Sequence, residues 1–387
     1  MGGMQRRTVL KGAGVVAAMA GSAAVLPLFG LKGAKQDPLT CFAKDLSDTD
    51  KRLIVSNWPQ YIDPMKKPSS TLKVFESQFG IEVDYSDDVN DNNEFFAKVR
   101  NQLGSCQSVK RDIMVLTDWM AARMIGLGWT QPMDAAKVPN LHKNLIKPLQ
   151  GKAWDPDRVY SAPWQSGLTG IAYNAKKIGE VKSFKELLTR SDLAGRVTLL
   201  SEMRDTMGFM LKVVGADPEN FSDDEWGNAL DELSKSVKSG QIRAFTGNEY
   251  SQDLAAGNIL ACEAWSGDVI QLQFENPDIK FVFPEEGVSL WSDNMVLPNL
   301  TTHQANAERW IDYYYEPEVA AKLAAWNNYI CPVQGAQQAM EKIDSSLVDN
   351  TLIFPDEALL AGAFDFMPLT EAQNTTYGKG WSDVIGG

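Results

Sequence analysis

The stretch KRLIVSNWPQYIDP, residues 51–64, holds a short apolar run followed by two large rings, Trp58 and Tyr61, beside two prolines. Leu53 to Val55 reads as a strand, because a brief apolar run rich in β-branched residues suits a sheet position covered on both faces. Pro59 and Pro64 argue for a loop after it rather than a helix, since proline lacks a backbone donor and fixes φ. The chain therefore places two amphipathic rings on a loop at the end of its first strand.

The pattern continues outward from there. TLKVFESQFG (71–80) has apolar residues at helical spacing and a stopping glycine, and IEVDY (81–85) alternates as a strand. NEFFAKVRNQLG (93–104) is an amphipathic helix. DIMVL (112–116) is a buried strand, and DWMAARMIGLG (118–128) a helix. This β-α-β-α rhythm predicts a parallel sheet with covering helices. A second set of such segments follows YSAPWQSGLTGIAYN (160–174), including RVTLLS (196–201), DDEWGNALDELSKSVKSG (223–240), IRAFTG (242–247) and NILACEAWSG (258–267). Two α/β units in tandem predict two lobes with a cleft between them, a design shared by binding proteins and enzymes.

The chain has 387 residues, 44% hydrophobic and 22% charged, enough apolar material for large cores. Its net charge of -13 repels phosphate backbones, so no nucleic-acid partner is expected. At the N-terminus, Arg6 and Arg7 precede an uncharged Ala- and Gly-rich stretch from Gly12 to Leu31. Residues 1–34 read as an export signal of the twin-arginine type, although Gln5 stands where Ser or Thr is usual. Retained, the signal would be a single membrane anchor. The mature protein is expected outside the cytoplasm in either case. Cys41, Cys106, Cys262 and Cys331 are widely spread, and no obligatory disulfide is expected in so long a chain. Cys262 reads as a buried strand residue.

Most catalytic signatures are missing. His142 and His303 lie in no metal motif and read as exposed. The chain has no GxSxG elbow, P-loop, GxGxxG or clustered cysteines, so no cofactor, metal or catalytic residue is expected. The run DDVNDNNE (87–94) resembles a calcium loop from Asp88. It lacks the turn glycine and ends on Val99 instead of a glutamate, so it reads as a polar helix cap.

What recurs instead is an acid beside a ring at segment ends: Asp118 and Trp119, Glu202 and Asp205, Trp265, Trp291 and Asp293. In open α/β sheets, ligands bind beyond the carboxyl ends of strands. A ring face attracts an ammonium by about 0.5–2 kcal/mol, and a carboxylate adds a charge-assisted hydrogen bond. The combination suits an organic cation.

These residues also carry a resemblance. NWPQYIDP, RDIMVLTDWM, YSAPWQSGLTGIAYN, SEMRDTMG, GNILACEAWSGD, FVFPEEGVSLWSDNMVLP and NNYICPVQGA stand in the order and spacing of the periplasmic spermidine/putrescine-binding proteins of bacterial ABC transporters. The resemblance runs from about residue 50 to the C-terminus. It implies an α/β two-lobe fold of the type II periplasmic binding proteins, with the ligand cleft between lobes. Lobe 1 would comprise 45–163 plus 287–335, and lobe 2 164–286 plus 336–387. The implied ligand-binding residues are Trp58, Tyr61, Thr117, Trp119, Glu202, Asp205, Trp265, Trp291, Asp293 and Tyr329. The implied partners are a polyamine or related cationic amine and an inner-membrane permease, with the protein acting as a monomer. The chain departs from the family pattern in several places: Pro59 and Gln60 stand where an acid or hydroxyl is common, Gly247 replaces a serine, the acid pair Glu202 and Asp205 reverses the common order of Asp then Glu, and a glutamine expected near the C-terminus has no clear match around AFDFMP. Alternatives left open are another small solute, such as an amino-acid-like one, and an exported hydrolase using paired carboxylates.

Overall fold

The computed structural model describes residues 41–386. The expected export signal lies outside the described residues. The chain begins with β1 (Arg52–Ser56), α1 (Thr71–Phe79), β2 (Glu82–Ser86), α2 (Asn92–Gly104), β3 (Ile113–Thr117), α3 (Asp118–Gly126), β4 (Thr130–Gln131) and α4 (Pro139–Asn144). The long strand β5 (Ser161–Asn174) leads to α5 (Phe184–Thr189), β6 (Val197–Leu200), α6 (Met203–Val213), α7 (Asp223–Lys238), β7 (Ile242–Thr246), α8 (Tyr250–Ala256), β8 (Ala261–Trp265), α9 (Ser266–Glu275) and β9 (Ile279–Val282). A second long strand, β10 (Val288–Pro298), precedes α10 (Gln304–Tyr314), α11 (Pro317–Asn327), α12 (Ala336–Met340), α13 (Glu357–Ala361), β11 (Ala363–Phe364) and α14 (Glu371–Ile385).

Local chemistry explains several boundaries. Ser70 caps α1 by accepting from Lys73 N, and Gly80 ends it in the left-handed conformation. Asp91 caps α2 by accepting from Glu94 N, so the polar run before this helix is a cap, as expected. Ser222 and Glu225 form a reciprocal capping box on α7.

The strands join in one sheet, in the order β2-β1-β3-β10-β5-β8-β6-β7. The pairs β2-β1-β3 and β8-β6-β7 are parallel, as the alternation of strands and helices predicts. The middle is not. β10 runs antiparallel to β3 and to β5, and β5 runs antiparallel to β8. The sheet is therefore mixed, because β5 leaves one parallel set for the other and β10 returns. Two apolar cores flank this crossing. One contains Leu53, Val55, Ile113, Trp164, Met295 and Trp310; the other contains Ile171, Val197, Phe209, Trp226 and Trp381. After Gly335, Ala336, Met340, Leu347 and Ile353 pack in the first core, and Phe364 and Tyr377 in the second.

Two expectations are corrected. His303 is buried, with Nδ1 3.0 Å from Asp112 and Nε2 3.3 Å from Asp50. Its carboxylates lie far away in sequence, so nothing local announces its burial. His142 is exposed, as expected. Cys41 and Cys106 form a disulfide with Cα atoms 5.7 Å apart. It fastens the segment before β1 to the residues after α2, a tie that tertiary proximity creates and sequence length does not rule out. Cys262 and Cys331 are buried and free.

The disulfide closes a sequence separation of 65. A loop of that length corresponds to roughly 2–4 kcal/mol of stabilisation. Cys106→Ser is therefore expected to lower the melting temperature measured by calorimetry, and a thiol reductant should lower that of the wild type but leave the variant unchanged.

Candidate functional site

The ends of β1, β3, β6, β8 and β10 converge on one cavity of about 610 Å³. All ten residues singled out from the sequence line it: Trp58, Tyr61, Thr117, Trp119, Glu202, Asp205, Trp265, Trp291, Asp293 and Tyr329. Trp58, Tyr61, Thr117, Trp119, Glu202, Asp205 and Trp265 lie at or beyond strand ends, where side chains leave the sheet, whereas Trp291 and Asp293 point out from within β10 and Tyr329 follows α11.

The loop after β1 is pinned from both sides. Asn57 pairs through its backbone with Ser86 and Val89, and the Trp164 indole donates to Tyr61 O at 3.1 Å. Gln60, between the rings, has φ 60, in the left-handed region. The Tyr61 hydroxyl then donates to Asp293 Oδ2 at 2.8 Å. Thr117 Oγ1 donates to Asp293 Oδ1 at 2.7 Å, and itself accepts from Asn92 Nδ2 at 2.8 Å.

On the far side, Glu202 is the N-cap of α6 and Asp205 lies in its first turn, where helix dipoles favour an anion. Asp205 accepts from Thr169 Oγ1 at 2.6 Å and from the Trp265 indole at 3.2 Å. The Trp291 indole donates to Thr169 Oγ1 at 2.9 Å. Between the two acid groups runs a file of rings. Tyr61 meets Tyr329 at 5.3 Å between centroids, Tyr329 meets Trp291 at 5.7 Å, and Trp291 meets Trp265 at 6.5 Å. Two glycines allow this: a Cβ on Gly167 would collide with the Trp291 ring, and one on Gly267 with that of Tyr329.

Several site residues escaped the sequence reading. Asp268 lines the cavity and accepts from Tyr329, Tyr250 and Asn248. Its position three residues beyond Trp265, in the first turn of α9, was a usable signal. Asp118, marked in the sequence as the acid beside Trp119 but not among the ten, also lines the cavity, with its carboxylate turned to β10. Arg204 is buried and lies 3.4 Å above the Trp119 ring centre. That face of Trp119 is thus occupied by a cation of the protein itself. Arg204 also donates to Asn374 at 2.7 Å, while its Nε has no partner.

Nine carboxylate side chains line the cavity, against a single cationic one, Arg204. Burial dominates the titration of the deepest of them. Burial pushes Glu202 up to about 8, with Asp205 adding to the rise and Arg204 opposing it. Burial pushes Asp293 up to about 7 against its bonds from Thr117 and Tyr61. Asp205 rises to about 6 for the same reason. Burial also lowers Arg204 to about 10. Carboxyl groups in such surroundings hold protons near neutrality, and an entering cation would let them ionise. Among the described residues, no group of three or more His, Cys, Asp or Glu is arranged to hold a metal ion.

Comparison with known proteins agrees with this architecture. The sequence model of a family described as bacterial extracellular solute-binding protein matches residues 70–349. The putrescine-binding periplasmic protein PotF of Escherichia coli K12 is 28% identical over 363 residues, covering 88% of this chain and 93% of that protein. The spermidine/putrescine-binding periplasmic protein 1 of Haemophilus influenzae is 26% identical over 339 residues, covering 87% and 89%. Among solved structures, a putative spermidine/putrescine ABC transporter from Listeria monocytogenes superposes with a TM-score of 0.76 at 25% identity, covering 87% of this chain and 99% of that one. The fold is the two-lobe type II periplasmic-binding-protein fold.

The raised acids set a pH dependence. Glu202, Asp205 and Asp293 bind protons more tightly folded than unfolded. Their contribution to stability is full below about pH 4, the unfolded carboxylate range, and is lost as pH rises through about 6 to 8. Glu202→Gln removes one such group. Calorimetric melts of ligand-free protein should find the variant level with wild type at about pH 4 and more stable than it at pH 8.

Proposed function

Because this chain belongs to the bacterial extracellular solute-binding protein family, we propose that it captures a polyamine of the putrescine or spermidine type and delivers it to the inner-membrane permease of an ABC transporter. The observation that carries this reading is the excess of buried acid over buried base in a cavity walled by rings. An uncompensated buried carboxylate is costly, and an ammonium group removes that cost. Similarity to putrescine- and spermidine/putrescine-binding proteins of other bacteria points the same way.

In this reading, Asp293, with Tyr61 and Thr117, takes one ammonium. Glu202 and Asp205 take another. The file of rings from Tyr61 to Trp265 lies along the methylene chain between them, and Trp58 covers the mouth. The protein works in the periplasm as a monomer, without catalysis, and closes by moving its two lobes about β5 and β10. The lobes meet along these strands, the first keeping the core of β1 and β3 and the second that of β6 and β7.

One observation favours a second solute class. The buried Arg204 has an unpartnered Nε at the cavity. A solute with an amine at one end and an acceptor or carboxylate at the other, an amino-acid-like one, would use it.

A thermal-shift screen of diamines, spermidine, amino acids and sugars separates these readings, because a ligand of the folded state raises the melting temperature by mass action. Polyamines are expected to give the largest shifts; shifts with amino-acid-like solutes alone would select the second class. In calorimetric titrations, Asp293→Asn should weaken polyamine binding by on the order of 2 kcal/mol or more, since truncating a buried charge pair costs that much. Gln60→Ala should cost far less, and equal losses in the two variants would remove Asp293 from its assigned place.

A further inference from the structure

β5 and β10 keep antiparallel register except at one point. Asp293 pairs with Gln165 and Asn294 with Pro163, so Trp164 has no partner on β10. This is a bulge, and it falls beside a proline that has no N–H to give the ladder. Bulges re-aim neighbouring side chains. The side chain in question is Asp293, which turns to Thr117 and Tyr61. On its other edge β10 keeps its ladder to β3, with Asp293 opposite Thr117 and Asn294 opposite Leu116, but on the β5 side the break calls for a further hold.

Asp118, the first residue of α3, supplies it. Its Oδ2 accepts from the backbone N–H of Ser292 at 2.9 Å, and its Oδ1 accepts from Asn294 Nδ2 at 2.7 Å. The two contacts straddle Asp293. Asn294 is held in turn, donating to Ser292 O at 3.1 Å and accepting from Arg158 Nη1 at 3.1 Å. Asp118, Ser292, Asn294 and Arg158 are all buried. Both carboxylate oxygens of Asp118 thus already have donors from the protein, although the residue borders the cavity.

We propose that Asp118 is a positioning residue. It fixes β10 on both sides of Asp293 and thereby sets where that carboxylate meets a ligand ammonium. The inference rests on the cation-binding reading of the cleft. A group that binds with small positional tolerance depends on the shell that locks it.

The test compares Asp118→Asn with Asp112→Asn by calorimetric titration with 1,4-diaminobutane, alongside melting temperatures. Asp112 is an equally buried acid at the other end of β3, accepting from Ile54 N at 2.9 Å. Asp118→Asn sets an amide against the amide of Asn294. It should weaken binding by roughly tenfold or more, the scale on which outer-shell partners act. Asp112→Asn should bind like wild type, even with a similar loss of melting temperature. If Asp118→Asn does not fold, Asn294→Ser carries the same expectation. A crystal structure of the single variant supplies a readout that needs no ligand: Asp293 should leave hydrogen-bond distance of Tyr61 or Thr117. An Asp293 that stays in place, or equal affinity losses at Asp118 and Asp112, overturns the inference. A wild type that binds no amine overturns the polyamine reading instead, and the crystallographic result then decides the role of Asp118.

Discussion

The antiparallel ladder between β5 and β10 is the constraint on which the rest of the molecule depends. It joins two parallel half-sheets that would otherwise have no common edge. It also fixes the relative height of the site residues. Trp291 lies opposite Gly167, and Thr169, which anchors both Trp291 and Asp205, pairs with Ser289 and Trp265. A slip of one residue would turn every one of these side chains to the opposite face. The acids and rings of the cleft are therefore placed by strand register as much as by their own contacts.

The cleft combines two kinds of order. The rings are locked by edge contacts, by indole hydrogen bonds and by the two glycines that let them approach. Asp293 and Asp205 are held by hydroxyls and an indole that are buried or half-buried. Behind Asp205, a further buried acid, Glu263, accepts from Leu200 N at 3.0 Å and Thr206 Oγ1 at 2.6 Å and ties the start of α6 to β6 and β8. Asp118 stands behind Asp293 in a comparable way. Asp205 and Asp293, two of the acids proposed to meet the ligand, thus each have a second acid in their support. This raises the cost of leaving the site without a cation, because like charges add to desolvation.

Much of this was legible in the sequence, for physical reasons. Apolar periodicity marked the strands and helices because both half-sheets are covered and their helices are amphipathic. The ten cavity-lining residues could be named because acids and rings recur in short motifs whose order and spacing carry the family resemblance, and the fold brings those motifs to one place. The antiparallel middle was harder to read: β5 and β10 are apolar enough to pass for any buried strand, and nothing local encodes direction. His303 was misread because Asp50 and Asp112 reach it only through the fold. The Cys41–Cys106 bond was missed for the same reason. Arg204 was passed over as the polar neighbour of Asp205, since a guanidinium buried against an indole contradicts the ordinary expectation for arginine.

The stack of Arg204 on Trp119 has a consequence for populations. Arg204 belongs to the helix beside the second core, and Trp119 packs with β3 and α2 on the side of the first. Their contact joins the two sides without any solute. At about 0.5–2 kcal/mol, a cation on a ring biases an open–closed equilibrium roughly 2- to 30-fold toward closure. Under the lobe closure proposed above, a solute would then meet molecules part of which are already shut or nearly so, and less of its binding free energy would go into ordering the cleft. The same bias sets a floor on how completely an empty molecule differs from a loaded one. Any membrane partner that recognises closure alone must therefore read something more than shape to ignore the empty form.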